Sequence, residues 1–539
     1  MSLSLAPRMS KFFGLLFIVG TASATQTQQP VLLTTLINSN RIEEARRLSS
    51  VNRSIALEYE SYSGFLTVNK QYNSNTFFWY FPVRNKPKDS TPWIIWLQGG
   101  PGASSLAGLF DEIGPFSYNK KNDTIEEREW TWLKGYSMLF IDNPVGAGFS
   151  FTDSNDGFVK NMDECASDLY TALKQFLIIF PELRTAPLYI AGESYAGRYI
   201  PPFAMKLAEQ DLNIGTFEVN LQGIIMGNPV VDRYSVANYT STFQQWGLID
   251  TQGAMSVKSL QDQYIKAILD GDASAAYDLR DQLLYKLTKI TLQNQFFNVL
   301  KSNKDLTLSE FAAYLQKSTV KEALHVGDTD FSFINTTVDL ELKSDFLTDI
   351  GGTVTKLLEH CKVLIYCGQL DLTAPCVQSA QYRRRYWQWN KKELFLRAPR
   401  RPWLHKNVVA GYTKSGGGFT EVLVKGAGHL VPIDKPEELY ELISWFVSSR
   451  ELLPSSDFDS ASEYVPDLDK SYFSSTSPSA ESALGPQLVG LIISIIINFI
   501  LVISIVVASV YFLRRRREIA AYFYNNVDET SISQSFNMT

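Results

Sequence analysis

Ser194 lies at the centre of a short glycine-flanked segment, Gly192-Glu193-Ser194-Tyr195-Ala196-Gly197, directly after the apolar run 187–191. A serine on a tight turn between a strand and a helix presents its hydroxyl as a nucleophile. The positions two residues either side must be small because the backbone there is crowded, and here they are Gly192 and Ala196. Alanine replaces the second glycine of the usual pattern, so an ordinary turn serine is the alternative interpretation.

A serine hydroxyl needs a base to take its proton, and the chain offers few candidates. Only four histidines are present: His325, His360, His405 and His429. His429 alone follows a strand-like run, 420–424, through the glycine-rich turn Gly426-Ala427-Gly428, and it precedes the amphipathic run 436–446. This context predicts that His429 is the base, whereas an isolated histidine is more often a surface or core residue.

The base needs an acid partner that fixes its tautomer, and Asp371 is the candidate. Residues 362–367 read as a strand, and Asp371 closes the turn that follows it. The alternative role for Asp371 is that of a turn former. The chain order Ser194, Asp371, His429 is the order of the α/β-hydrolase triad, and it differs from the two other familiar triad orders.

The oxyanion of an acyl-transfer reaction needs preformed N–H donors. One donor is the backbone N–H of Tyr195, and the second is expected from the glycine-rich loop 98–105, at Gly100. This loop follows the strand-like run 93–97. A phosphate-binding loop is the rival interpretation, but no lysine follows the glycines at the required spacing.

Alternating strands and helices surround these residues and predict the fold class. Continuous apolar runs indicate strands buried on both faces, and a helical pattern covers residues 163–180. The strand-like runs are 77–81, 93–97, 137–141, 187–191, 221–226, 362–366 and 420–424. We therefore expect an α/β-hydrolase fold with a mainly parallel sheet.

The sequence predicts three parts in the globular region. Residues 25–235 form the first part of the hydrolase core, and residues 347–453 form the second part. Between them, residues 236–346 are mainly helical and charged with few strand-like runs. A helical insertion of this kind is expected to cap the carboxyl edge of the sheet, where ligands bind.

Both ends of the chain carry membrane-targeting patterns. Residues 1–24 have the basic, apolar and small-residue regions of a signal peptide. Residues 488–513 are almost wholly apolar and long enough for a transmembrane helix, and four arginines begin the predicted cytosolic tail, 514–539. Residues 454–487 are rich in serine, proline and acidic residues and predict a flexible stalk. A type I membrane protein is expected, with a removable lipid-anchor signal as the rival.

Composition narrows the partners further. The formal net charge of −6 argues against nucleic acid. No histidine or cysteine spacing resembles a metal site, and no cofactor is expected. The four cysteines, Cys165, Cys361, Cys367 and Cys376, predict one or two disulfides in an oxidising compartment, with three pairings open. The lumenal glycosylation motifs begin at Asn52, Asn122, Asn238 and Asn335.

Several segments together resemble the serine carboxypeptidase family, in family order over nearly all of residues 40–450. They include Trp96-Leu97-Gln98-Gly99-Gly100-Pro101-Gly102, Phe110-Asp111-Glu112-Ile113-Gly114-Pro115, residues 142–150, residues 192–201, Gly227-Asn228-Pro229, residues 366–371 and residues 426–432. The glutamine version of the first segment is similar to the vitellogenic-carboxypeptidase-like branch. The membrane anchor is similar to that of the Golgi processing carboxypeptidases.

The resemblance implies release of single residues from peptides or proteins with a free C-terminus. It assigns recognition of the substrate α-carboxylate to Gln98, Gly99, Glu193 and Glu112. Neighbouring carboxyls that face a substrate carboxylate cannot all be ionised, so at least one should hold a proton. We therefore expect activity to favour acidic pH.

The chain departs from the family pattern at two positions. Gln98 stands where asparagine is usual, and Ala103 stands where the family often has a cysteine tied to the cap. Two other functions remain open on the same fold: acyl transfer or another reaction at this site, and a catalytically idle membrane-anchored binding ectodomain.

Overall fold

The computed structural model describes residues 28–210, 219–233, 236–305 and 308–448. The predicted signal peptide 1–24, stalk 454–487, transmembrane helix 488–513 and tail 514–539 lie outside these residues. Within the described ranges, no helix is both long enough and apolar enough to cross a bilayer.

The chain contains twelve strands in the described residues. They are β1 (Tyr62–Asn69), β2 (Ser74–Phe81), β3 (Trp93–Leu97), β4 (Phe116–Asn119), β5 (Thr124–Glu127), β6 (Ser137–Ile141), β7 (Leu188–Glu193), β8 (Leu221–Gly227), β9 (Lys362–Gly368), β10 (Arg401–His405), β11 (Val408–Gly416) and β12 (Phe419–Val424). β4 and β5 form a separate hairpin, and the other ten strands form one sheet.

Fifteen α-helices accompany these strands in the same ranges. They are α1 (Leu33–Asn38), α2 (Ile42–Leu48), α3 (Met162–Ile179), α4 (Ala196–Gln210), α5 (Tyr239–Gln245), α6 (Thr251–Asp270), α7 (Ala273–Thr291), α8 (Ala312–Leu315), α9 (Ser318–Ala323), α10 (Thr336–Glu341), α11 (Gly351–Leu357), α12 (Cys376–Tyr386), α13 (Lys392–Arg397), α14 (Val431–Asp434) and α15 (Pro436–Ser448). A π-helical turn spans Gly108–Glu112.

The large sheet has the order β1-β2-β6-β3-β7-β8-β9-β12-β11-β10. Its six central strands run parallel, in the order β6, β3, β7, β8, β9 and β12, and antiparallel strands extend both edges. Separate buried cores cover the two faces: α3, α4 and α11 pack on one, and α15 packs on the other. The predicted α/β-hydrolase architecture with a mostly parallel sheet is confirmed.

The parallel strands place the predicted site residues at one edge of the sheet. Ser194 follows β7, Asp371 follows β9 and His429 follows β12. Because the carboxyl ends of parallel strands meet at the same edge, these residues come together although they are far apart in the chain.

The segment between β8 and β9 contains helices and no strand in its described residues. α6 and α7 form a hairpin with its own apolar core, which includes Val257, Tyr264 and Leu283. Later in this segment, Phe311 and Leu315 instead belong to the core on the face of the sheet that α15 covers. Residues of the predicted cap, 236–346, therefore contribute to two different cores.

Candidate active site

Ser194 occupies the tight turn between β7, which ends at Glu193, and α4, which begins at Ala196. Its φ angle is +59°, in the left-handed region that non-glycine residues seldom adopt. A side chain at Gly192 would lie 2.2 Å from the Leu97 carbonyl oxygen and 2.8 Å from the Ala196 Cβ atom. The turn therefore requires small residues on both sides, and alanine at position 196 satisfies that requirement.

Asp371 and His429 form a buried pair at the ends of β9 and β12. The His429 Nδ1 atom lies 2.8 Å from Asp371 Oδ2, and the two residues are 1% and 2% exposed, respectively. Asp371 Oδ1 accepts hydrogen bonds from the backbone N–H groups of Thr373 and Ala374. These donors fix the carboxylate, which in turn orients the imidazole ring.

Asn228 is a further member of this group that the triad reasoning did not assign. Its Nδ2 atom donates to Asp371 Oδ2 over 2.6 Å, and its Oδ1 atom accepts from the backbone N–H of Gly368. It follows β8 directly and is fully buried. The Gly227-Asn228-Pro229 segment that contributed to the family resemblance was the available signal.

The structure does not join Ser194 to His429 by a hydrogen bond. His429 Nε2, the atom that has to accept the serine proton, is buried and has no partner among the described residues. Such contacts are often long in enzymes without substrate and shorten in the Michaelis complex. The predicted transfer of the serine proton therefore requires the two side chains to approach each other.

The glycine loop after β3 lies against the nucleophile turn. A side chain at Gly99 would lie 2.6 Å from Tyr195 N and 2.9 Å from Ser194 Cβ, so only glycine fits there. The backbone N–H groups of Gly100 and Tyr195 donate to no described residue. Both N–H groups can therefore bind an anion at this turn, and their role as the oxyanion hole stays a prediction.

Asp142 holds this loop in place from a neighbouring turn. Its Oδ1 atom accepts from the Ser104 hydroxyl over 2.6 Å and from the Ser105 N–H over 2.9 Å. Its Oδ2 atom accepts from the Phe149 N–H. Burial raises the pKa of Asp142 to about 6. A buried carboxylate without a nearby cation is stabilised here by several donors.

Gln98, Glu112 and Glu193 form a buried cluster beside the nucleophile. Gln98 Nε2 donates to Glu193 Oε1 over 2.9 Å and to Glu112 Oε1 over 3.1 Å. Gln98 Oε1 accepts from the indole N–H of Trp96, which sets the orientation of the amide. The structure therefore brings together three of the four residues predicted for carboxylate recognition, with Gly99 next to them in the chain.

The two glutamates cannot both be ionised at neutral pH in this environment. Burial raises the pKa of Glu112 to about 7. Burial, and then the negative charge of Glu112, raise the pKa of Glu193 well above its ordinary value. A hydrogen bond between the two carboxyls lowers the pKa of Glu112 and raises that of Glu193, so the proton belongs to Glu193. The pair therefore retains a proton that it can donate.

A cavity of about 140 Å³ is lined by Ser194, together with Gly100, Pro101 and Tyr195, and by none of the three residues of the glutamate cluster. A cavity of similar volume holds benzene, so its size suits one medium-sized side chain. The lining also includes charged residues: Asp232, Arg233, Arg280 and Asp339. Nearly half of its lining comes from the predicted cap, notably Val236, Tyr239, Tyr277 and Phe346.

The predicted disulfides can be compared directly with the structure. Cys367 and Cys376 form a disulfide, which closes the loop that carries Asp371, whereas Cys165 and Cys361 are free. The sequence predicted one or two disulfides among three possible pairings, and the described residues contain one bond, Cys367–Cys376.

Three of the predicted glycosylation residues, Asn52, Asn122 and Asn238, are exposed. Asn335 is half-buried, and its Nδ2 atom donates to the Gly146 carbonyl oxygen over 3.0 Å. A glycan attached at that nitrogen would replace one of its two hydrogens, so the bond to Gly146 would have to use the hydrogen that remains.

Comparison with known proteins decides the family. A sequence model of the family described as serine carboxypeptidase matches residues 52–449. The chain belongs to the serine carboxypeptidase family. Its assignment to this family and to the hydrolases, made from the sequence motifs, is therefore confirmed.

The relatives agree with this assignment over most of the chain. The venom serine carboxypeptidase of Apis mellifera is 38% identical over 78% of this chain and 91% of its own length. The vitellogenic carboxypeptidase of Aedes aegypti is 35% identical over 78% and 90%, respectively. The probable serine carboxypeptidase CPVL of Homo sapiens is 36% identical over the same shares.

A solved structure supports the fold. KEX1(Δ)p, a prohormone-processing carboxypeptidase from Saccharomyces cerevisiae, superposes with a TM-score of 0.66 and 21% identity. The match covers 76% of this chain and 98% of that structure.

Proposed function

We propose that this protein removes single residues from the C-termini of peptides or proteins through an acyl-enzyme. Ser194 Oγ attacks the carbonyl carbon of the last peptide bond while His429 Nε2 takes the hydroxyl proton. The N–H groups of Gly100 and Tyr195 bind the resulting oxyanion, and Asp371 stabilises the imidazolium.

Collapse of this intermediate breaks the peptide bond. His429 gives its proton to the leaving amine, so the terminal amino acid departs and an ester on Ser194 remains. A water molecule then attacks the ester while His429 takes its proton, and His429 returns that proton to Ser194 Oγ as the shortened peptide leaves. No cofactor takes part in this sequence.

The observation that carries the proposal is the buried cluster of Gln98, Glu112 and Glu193. A carboxyl pair that retains a proton, next to an amide N–H donor, is complementary to a substrate carboxylate. Glu193 immediately precedes Ser194, so a carboxylate bound there lies beside the scissile bond. This arrangement supports an exopeptidase in preference to an endopeptidase.

A peptide with a free C-terminus should be cleaved with a kcat/KM about 10- to 100-fold higher than its C-terminal amide, because the amide loses a charge-assisted hydrogen bond. Glu112 ionises as pH rises through its pKa of about 7 and adds a negative charge to the cluster, whereas Glu193 keeps its proton because its pKa is raised well above its ordinary value. KM for the free peptide should therefore stay low below pH 7 and rise above it, by up to about tenfold per pH unit. Steady-state kinetics between pH 4.5 and 8.5 measure both effects.

Glu112→Gln provides the matched variant for this experiment, since glutamine keeps an N–H donor but has no proton to lose. The rise of KM above pH 7 should become shallower in this variant. Glu43→Gln makes the same change at an exposed position and should leave the profile unaltered. Equal cleavage of the free and the amidated peptide would exclude a carboxypeptidase.

The cavity beside Ser194 supports a second element of the proposal. The glutamate cluster would hold the carboxylate of the leaving residue, and the cavity, which Ser194 lines without any residue of that cluster, would take the side chain of the residue before it. Because residues 236–346 supply much of that lining, we assign them the role of a cap that selects substrates.

We also propose that the catalytic part is lumenal or extracellular and is anchored by one helix at 488–513. The signal-peptide pattern, the apolar run and the arginines after it support this topology. A chain that ends after residue 453 should appear in the medium of expressing cells, whereas the full chain should stay with the membrane fraction. Full-length protein in the soluble fraction would contradict the anchor.

A further inference from the structure

Residues 295–301, which we call the strap, leave the end of α7 and pass between two loops of the active site. On one side the strap contacts the loop that carries Asp371. The Leu372 N–H donates to the Phe296 carbonyl oxygen over 2.9 Å, and the Val299 N–H donates to the Leu370 carbonyl oxygen over 3.0 Å. The strap therefore holds the acid loop on both sides of Asp371.

On its other side the strap contacts the loop that carries His429. The His429 N–H donates to the Phe297 carbonyl oxygen over 2.5 Å. Asn298 Nδ2 donates to Asp434 Oδ2, the same carboxylate oxygen that accepts from the Gly428 N–H. A side chain at Gly428 would lie 2.1 Å from the Phe297 carbonyl oxygen, so the strap and this loop are in close contact.

Hydrogen bonds within the strap also fix its conformation. The Gln295 side-chain oxygen accepts from the backbone N–H groups of Phe297 and Asn298. Its amide nitrogen donates to the Asn298 and Lys301 carbonyl oxygens. Because Gln295 and Asn298 are buried, these bonds are protected from competition with water. The strap is therefore a defined element although it is neither helix nor strand.

The Phe297 ring lies parallel to the imidazole of His429. The ring centroids are 5.3 Å apart, and the planes differ by 10°. Asp371 holds one edge of the imidazole, through Nδ1, and Phe297 covers a face. Edge and face contacts together restrict both the tilt and the rotation of the histidine ring.

The negative face of an aromatic ring attracts a cation more strongly than a neutral group. In the proton transfer, neutral His429 becomes a cation when it takes the proton of Ser194, so a ring on its face favours the transition state over the neutral ground state. Interactions that are stronger in the transition state raise kcat, whereas uniform binding does not.

We propose that Phe297 is a positioning residue for catalysis, acting through His429: it holds the imidazole plane and stabilises the imidazolium that forms during acyl transfer. The strap that carries it fixes the acid and base loops relative to each other. This inference rests on the proposed function, because it concerns the proton transfer from Ser194 to His429.

The test compares Phe297→Leu, which removes the ring, with Phe297→Tyr, which keeps it, in the full chain. Phe296→Leu is the matched control, since that ring packs on Phe243 in the cap core instead. Phe297→Leu should lower kcat by about 3- to 30-fold, with KM changed by less than about twofold. Labelling of Ser194 by a fluorophosphonate should slow by a similar factor.

Phe297→Tyr should retain most of the wild-type kcat, and Phe296→Leu should change thermal stability without this loss of kcat. Two results would overturn the inference: an unchanged kcat in Phe297→Leu with only the melting temperature lowered, or a higher kcat, which would make the ring an obstruction. If the wild-type chain neither cleaves peptides nor reacts with the probe, the proposed function itself fails, and this outcome is distinguishable from both.

Discussion

Replacing Ser194 with alanine should lower kcat for a blocked dipeptide by about 10⁶-fold, since loss of the nucleophile in a serine triad removes covalent catalysis altogether. The turn around position 194 needs small side chains, and alanine is smaller than serine, so the fold should be unaffected. KM should change little because the carboxylate cluster and the cavity remain. Steady-state kinetics and fluorophosphonate labelling measure the effect.

Ser90→Ala is the matched control for this variant, since Ser90 is exposed and remote from the sheet edge that carries the site. Both variants should show the wild-type melting temperature, and only Ser194→Ala should lose labelling. Persistence of more than about a hundredth of the wild-type kcat in Ser194→Ala would require another nucleophile.

The centre of the sheet was predictable from the sequence, whereas its edges were not. β3 and β6 have the predicted bounds, 93–97 and 137–141, because strands buried on both faces read as continuous apolar runs. β1, β10 and β11 were not identified. β11 is largely exposed or half-buried and contains glycine, and β10 contains Pro402, so neither shows the apolar run of a central strand.

The candidate site was also predictable only in part. Residues in recognisable local patterns were identified, whereas residues that act through long-range contacts were not. Ser194, Asp371 and His429 were identified because each follows a recognisable strand in a turn of suitable composition. Asn228 and Phe297 had no such role assigned, because their importance comes from contacts with Asp371 and His429 more than 100 residues away in the chain. A single sequence without an alignment contains little information on such contacts.

The sequence indicated that Glu112 and Glu193 cannot both be ionised, but it did not indicate how strongly burial raises their pKa values. The family resemblance placed both carboxyls at a carboxylate-binding site, which implied that they could not all be ionised. Their complete burial, and the hydrogen bond between them, became evident only from the packing around Gln98 and Trp96. Desolvation depends on tertiary structure, so no sequence pattern reports it.

Asp371→Asn should lower kcat/KM by about 10⁴-fold, the loss caused in serine triads by a histidine in the wrong tautomer. Asp371 only accepts: its partners are His429 Nδ1, Asn228 Nδ2 and two backbone N–H groups. An asparagine must point its NH₂ group at some of these donors. If it faces His429, the proton moves to Nε2, and that atom can no longer accept the proton of Ser194.

The test of Asp371→Asn combines kcat/KM with a thermal melt and uses Asp163→Asn, an exposed carboxylate, as its control. The variant should bind a C-terminal carboxylate as well as the wild type does, because the Gln98 cluster is unchanged. A loss of less than about tenfold would show that the imidazole is held mainly by its other contacts. In that case the Phe297 ring and the strap, rather than Asp371, would dominate the orientation of His429, and the tautomer argument would be wrong.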